Sequence, residues 1–253
     1  MRMPTTDGPR GSNRLLARLP GDEYRLLAPS LNPVTLVSGE TLFRPHEPLA
    51  FLYFPLDGVV SLVIRAETRI ALEVATIGNE GVVGLPILLG ADRLPYECVV
   101  QVPGWFLRLP AAAARELAAA ESTLRDDAGR YALALLAQIS QSLACNGLHP
   151  AVQRCARWLL MTHDRVLTEE FLLTHDYLAQ MLGVRRATVT TVLGELRQAG
   201  LLDYRRGAVV ILDRSGLEAA ARACYGLIRG EYERLLPPAS VNGDQPAADR
   251  GPV

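Results

Sequence analysis

Lysine is absent from this chain. All 26 basic residues are arginines, set against 27 acidic ones for a formal net charge of −1. A balance this even excludes a uniformly basic nucleic-acid coat and an acidic solvating tail; only a local basic patch could meet a polyanion. The arginine bias itself is read as genomic base composition. Cysteine is scarce too. Cys98, Cys145, Cys155 and Cys224 are scattered without a CxxC pair, so neither a zinc ribbon nor a disulfide scaffold is indicated. No apolar run approaches the ~18–20 residues of a membrane span; the run Val82–Leu89 is interrupted by Gly84 and Pro86. Met1 to Ser12 is polar and lacks the apolar stretch of a signal peptide, so a cytoplasmic location is expected. There is no GxSxG, no cluster of His and carboxylate ligands and no Gly-rich phosphate loop ahead of a helix. An enzyme is therefore not expected, nor a cofactor or a metal site.

What is present is apolar residue enough for a core, 49% of 253 residues, or one large domain or two modest ones. Residues 1–12 and 237–253 are rich in Pro, Gly, Asp and Ala without periodicity and read as disordered tails. Asn13 to Ala28 has helical leucine spacing interrupted at Pro20–Gly21, which predicts two short helices. From Leu31 to Leu109 short runs rich in Val, Ile, Thr and aromatics alternate with turn signals. That spacing predicts a β-sandwich or jelly-roll-like β-roll, not βαβ units. An Ala-rich helix follows from Pro110 to Ala120.

Thr123 to Asn146 predicts one long helix of about 36 Å. Ala128, Ala132, Leu135, Ile139 and Ser142 form one stripe on it, and Leu133, Leu136, Ser140 and Leu143 an adjacent one. A helix apolar on two sides must be covered twice. One stripe covers the β-roll and the other needs a second partner, for which a symmetry-related copy of the same helix is the economical choice. The first stripe is taken as the dimer interface; burial within a monomer is the alternative. His149–Pro150 breaks the helix, and Ala151 to His163 begins a second domain with Trp158, Leu159 and Met161 as core.

Phe171 to Tyr204 carries the functional signal. Thr174 is a good N-cap for a helix from His175 to Leu182, which Gly183 ends in a position tolerating positive φ. A second helix runs from Arg186 to Ala199. Ala179, Gly183, Val189 and Val192 fall at the small, turn and packing positions of a helix-turn-helix. The opposite face of the second helix bears Arg185, Arg186, Ala187, Thr188, Thr190, Thr191 and Arg197, a polar, arginine-bearing flank suited to a major groove. Then LLDYRRGAVVIL reads as strand, turn and strand, a wing whose tip carries Arg205 and Arg206 toward phosphate.

The order of β-roll, long helix and winged helix, with strings such as SGETLFRPHEP, GNEGVVG, ARWLLMTHDRV and LTHDYLAQMLGVRRATVTTVLGEL, resembles the Crp/Fnr family of bacterial transcription regulators over residues 13–235. The resemblance implies an α+β chain: a cyclic-nucleotide-binding-like β-roll sensor (double-stranded β-helix or jelly-roll-like) over 13–122, a dimerisation helix over 123–147 and a winged helix-turn-helix over 148–236. It implies a homodimer on near-palindromic double-stranded DNA, with RNA polymerase as a further partner and no membrane. The family's cyclic-AMP receptor reads DNA with an Arg-Glu pair and a second Arg five places after the first. Arg186 matches the first Arg, but Ala187 replaces the Glu and Thr191 the second Arg, so the preferred sequence should differ.

The sensor departs from the same pattern. Asn79–Gly84 stands near the family's Gly-Glu-Leu-Gly turn and supplies Glu80, Gly81, Val82 and Gly84 to an expected effector pocket with Arg93, Tyr96 and Glu97. The phosphate-pairing Arg-Ser should lie around Tyr96-Glu97, where no residue is basic and an anion would meet repulsion. Cyclic AMP is therefore not the expected effector, which is left unassigned, and Glu80 is read as a structural turn residue. No cysteine precedes Cys98, which excludes the family's N-terminal iron–sulfur ligands. His46 and Cys98 are read as a loop histidine and a buried thiol rather than haem ligands, and Cys145 and Cys155 as small hydrophobes rather than a redox pair. His163 and His175 lack a third ligand in metal spacing. The alternative function is a β-roll sensing haem, nucleotide or redox state, with a winged helix that docks protein.

Overall fold

The computed structural model describes residues 8–65, 71–119, 121–166, 168–205 and 207–238. Two short helices do follow Asn13, α2 (Arg14–Arg18) and α3 (Gly21–Leu27), preceded by a helical turn, α1 (Gly8–Gly11), within the stretch read as a tail. Asn13 shows why the chain turns inward here. Its side-chain oxygen accepts from the N–H groups of Leu15 and Leu16, capping α2, while its amide donates to the carbonyls of Pro55 and Gly81 at 3.0 and 2.9 Å. A fully buried asparagine thus satisfies its polar atoms and ties the helix to the roll.

The roll consists of β1 (Asn32–Leu36), β2 (Thr41–Phe43), β3 (Phe51–Pro55), β4 (Val59–Arg65), β5 (Ala71–Ile77), β6 (Glu97–Val102) and β7 (Gly104–Pro110). They form two antiparallel sheets, in the orders β1-β7-β3 and β2-β6-β4-β5. The stretch Val59–Val63 of β4 is buried on both faces. One face supplies the core; the other, bearing Ser61, is covered by the C-terminal unit, so polar Ser61, Glu73 and Gln101 are buried as well. Pro110 closes β7 rather than opening the next helix, α4 (Ala111–Ala119).

The long helix α5 (Thr123–Leu148) starts at Ser122, whose hydroxyl accepts from the Arg125 N–H. Its buried stripe carries Leu124, Asp127, Ala128, Tyr131, Ala134, Leu135, Gln138, Ser142 and Cys145. Gly81 admits the helix to the roll: a Cβ there would lie 2.2 Å from the Tyr131 ring. This corrects the expected dimer face. Ala128, Leu135 and Ser142 are buried within the protomer, and Ala132 and Ile139 pack partly buried against the same core. The exposed stripe is the adjacent one, with Leu133, Leu136 and Leu143 at 56%, 57% and 74% exposure. Both stripes are apolar, and their order is decided by which one meets the roll and the C-terminal helix.

The C-terminal unit comprises α6 (Ala151–His163), β8 (Glu170–Leu172), α7 (His175–Leu182), α8 (Arg186–Gln198), β9 (Leu202–Arg205), β10 (Ala208–Ile211), α9 (Arg214–Ala221) and α10 (Ala223–Leu235). Strand β8 adds a third strand to the wing, in the order β8-β10-β9. Helix α10 returns to pack along α5, where Arg14 and Arg18 donate to the carbonyls of Leu236 and Pro237. Pro237 is thereby held, although it lies in the stretch read as a tail.

Candidate nucleic-acid interface

Thr174 caps α7 by accepting from the Tyr177 N–H at 3.1 Å. Gly183 ends it at φ +62, a left-handed conformation that any Cβ would strain. Ala179, Val189 and Val192 are buried between α7 and α8. The packing faces inward, so the other flank of α8 faces outward: Arg185, Arg186, Ala187, Thr190, Thr191 and Arg197 are exposed, and Thr188 is half-buried. Arg185 stands at the N-cap and makes no side-chain cap, which leaves N–H groups at the helix start for an anion. Among the described residues Arg186 is held only loosely: its Nε lies 3.3 Å from Asp176, with both side chains mostly exposed.

Other residues set this face without having been singled out for it. His175 Nδ1 is 3.0 Å from Thr190 Oγ1, and its ring packs on Tyr204 at 4.9 Å between centroids. Tyr204 in turn donates to the Leu173 carbonyl. This chain links the wing to α8 and fixes Thr190. Asp203 on β9 pairs with Arg197 at 3.2 Å and with Arg205, so these two arginines are held together at the base of the wing. Arg206 lies outside the described residues. His175 and Thr190 stand 15 residues apart on two helices, so only the helix-turn-helix pattern itself brings them together; nothing local points to Asp203.

Residues 33–121 match the model of a cyclic nucleotide-binding domain and residues 153–220 that of a Crp-like helix-turn-helix domain. The chain belongs to the Crp/Fnr family of transcription regulators. Among solved structures it resembles FixK2 from Bradyrhizobium japonicum, at 16% identity and a TM-score of 0.66 over 76% of this chain and 98% of that one. A CRP-family regulator from Thermus thermophilus matches at 21% identity and a TM-score of 0.61, over 74% and 96% of the two chains. No curated protein matches the sequence. As in any Crp/Fnr chain, the helix-turn-helix is the DNA-binding element, here α7 and α8.

The β-roll of this Crp/Fnr chain has its own chemistry. Glu80 is buried, lines a cleft with Arg14, Asn79, Arg165 and Tyr232, and is already paired there: Arg165 donates to it through Nε at 3.0 Å and lies 2.8 Å away through Nη2. Arg165 also donates to the Met161 carbonyl and to Gln138, which accepts from Tyr232 as well. One ion pair therefore joins the roll, α5, α6 and α10. Of the residues expected in an effector pocket, only Glu80 lines that cleft. Val82 is core, Gly81 is packed on Tyr131, and Gly84 is a left-handed turn. Arg93 is exposed and donates to the His46 carbonyl, while Glu97 pairs with Arg65 and accepts from Thr41. Tyr96 is mostly withdrawn from solvent, and burial pushes its hydroxyl up to about 12.

A second buried network joins the units. Trp158 on α6 donates to Glu73 at 2.8 Å, Gln101 donates to Thr162 on α6, and Ser61 lies 3.1 Å from the Tyr177 hydroxyl on α7. Ser61 sits 2.5 Å from Glu73 and 3.0 Å from the Gln101 carbonyl oxygen. One serine proton cannot serve both acceptors. A protonated Glu73 donating to Ser61, with Ser61 donating to Gln101, satisfies all three groups. Burial pushes the Glu73 carboxyl up to about 7, against the pull of Ser61, Arg157 and Trp158, in keeping with that proton count.

Proposed function

We propose that the protein is a homodimeric regulator that reads a near-palindromic DNA site through α8. The observation that carries this reading is the exposure of the Arg185–Arg197 flank while the opposite face of α8 is packed on α7. Arg186 is placed to address a guanine edge through O6 and N7, with Thr190 and Thr191 beside it and Thr174, Arg185 and Arg205 toward phosphates. The exposed seam of α5 supports the dimer. Leu133, Leu136, Ser140, Leu143 and Gly147 recur at alternating steps of three and four, the spacing that keeps a coiled-coil seam facing an identical helix. RNA polymerase is a further partner of such a regulator. No helix among the described residues is long and apolar enough to cross a membrane, and the proposed action on DNA places the protein in the cytoplasm. It is not proposed as an enzyme.

We also propose that cyclic AMP is not its effector in the usual manner. Glu80, near the family's ribose-contacting turn, is held by Arg165, and no basic residue stands around Tyr96-Glu97, where the phosphate-pairing arginine is expected. The experiment is equilibrium DNA binding with Arg186→Ala. It should cost about 1–3 kcal/mol on the preferred site and relax one base position. Equal loss on all sequences would contradict base reading by Arg186, and a salt-independent affinity would favour a protein partner over DNA.

A further inference from the structure

The end of α5 and the start of α10 bring together three metal-ligating side chains that DNA reading does not use. Cys145 lies in the last turn of α5, His149 caps that helix, and Cys224 lies in the first turn of α10. His149 Nδ1 is 3.3 Å from Cys145 Sγ and 3.2 Å from Cys224 Sγ, and the three donor atoms all lie within 4.8 Å of one another. Cys224 thus takes the place beside Cys145 that the sequence offered to Cys155. Just before it, Arg222 adopts φ +54, a left-handed conformation rare for arginine, where α9 gives way to α10.

We propose that Cys145, His149 and Cys224 bind a thiophilic divalent transition-metal ion, with zinc as the reference ion. Two sulfurs and one imidazole nitrogen are a zinc donor set. With metal–sulfur bonds of about 2.3 Å and metal–nitrogen bonds of about 2.0–2.1 Å, a tetrahedron has sulfur–nitrogen edges of roughly 3.5 Å. The two sulfur–nitrogen separations need only a few tenths of an ångström of opening, and the two sulfurs, within 4.8 Å of each other, would settle at roughly 3.8 Å. Binding would release the two thiol protons to solvent, and two thiolates with one divalent ion form a neutral group, which suits burial. The surroundings favour it: Gln141 donates to Cys224 Sγ at 3.1 Å. His149 is only half-buried, so water can complete the fourth position from its side. The ion would clamp α10 to the His149–Pro150 joint between α5 and α6. That regulatory consequence rests on the DNA-binding reading.

The test is a cobalt(II) titration of the full, reduced chain, followed by zinc displacement. Expected is thiolate-to-cobalt charge-transfer absorption saturating at one ion per chain and abolished by zinc. Cys145→Ser and Cys224→Ser should each lose it, and Cys155→Ser should keep it. His149→Ala should weaken binding at least about tenfold. The wild-type titration decides even if a variant fails to fold: absence of the absorption overturns the site. Equal binding by wild type and Cys145→Ser overturns it too, as does a Cys145–Cys224 disulfide in a chain that takes no zinc once reduced. DNA affinity is measured separately, with and without zinc. An unchanged affinity alongside intact zinc binding overturns the clamp alone, and zinc binding by a chain with no DNA affinity overturns the DNA reading and leaves the metal site standing.

Discussion

Glu80→Gln keeps the shape of the side chain and removes its charge. Arg165 would then remain a buried cation, since the pair is 6% and 7% exposed at the side chains. Its other partners, the Met161 carbonyl at 2.6 Å and the Gln138 amide oxygen at 3.3 Å, are neutral. Breaking a buried pair from one side costs about 3–5 kcal/mol, mostly for the unpaired charge left behind. Arg165→Met alone should cost a similar amount, because Glu80 would keep only the Gly78 N–H as donor. The double variant leaves no buried charge, so its loss should fall about 2 kcal/mol or more short of the summed single losses. The assay is urea unfolding followed by circular dichroism and fluorescence, with coincident transitions required before a free energy is drawn. A Glu80→Gln loss below about 1 kcal/mol, or additive single losses, would refute the buried pair and reopen Glu80 as an effector contact.

Two further outcomes follow from burial. Leu136→Asp should give a folded monomer by sedimentation, because Leu136 is 57% exposed in the protomer, whereas Leu135→Asp should unfold the chain, because Leu135 is buried; a Leu136→Asp dimer would move the interface elsewhere. Glu73 makes stability fall with pH. Its folded carboxyl titrates near 7 against an ordinary 4.5, so the folded state keeps a proton that the unfolded chain loses between those values. The stabilisation is full below about pH 4.5 and is lost as pH rises through about 7, on the order of 3 kcal/mol in total. Urea unfolding from pH 5 to 8 should show this slope in the wild type and not in Glu73→Gln; equal slopes would contradict it.

The recognition unit was legible because its rules are local. The Thr174 cap, the left-handed Gly183 and the spacing of Ala179, Val189 and Val192 lie within one short stretch, and the structure places α7 and α6 between the expected ends. The β-roll was legible as a texture of strands and turns, though not its sheet order. What escaped depends on contacts between distant segments. Two apolar stripes on α5 look alike until the roll and α10 choose one. Glu80 and Arg165 are 85 residues apart, and Cys224 is 75 from His149; no periodicity links them. Helix α10 carries an ordinary amphipathic pattern, so its return to α5 leaves no local sign. Arg185 shows a local rule set aside, as it occupies a cap position without capping.

The most direct test of the account is selection from random DNA duplexes by the purified protein, with and without cyclic nucleotides. The account predicts a two-fold-symmetric site with half-site centres about 34–36 Å apart, enriched equally without any cyclic nucleotide. A single asymmetric half-site, an enrichment that requires cyclic AMP, or no enrichment at all would contradict it.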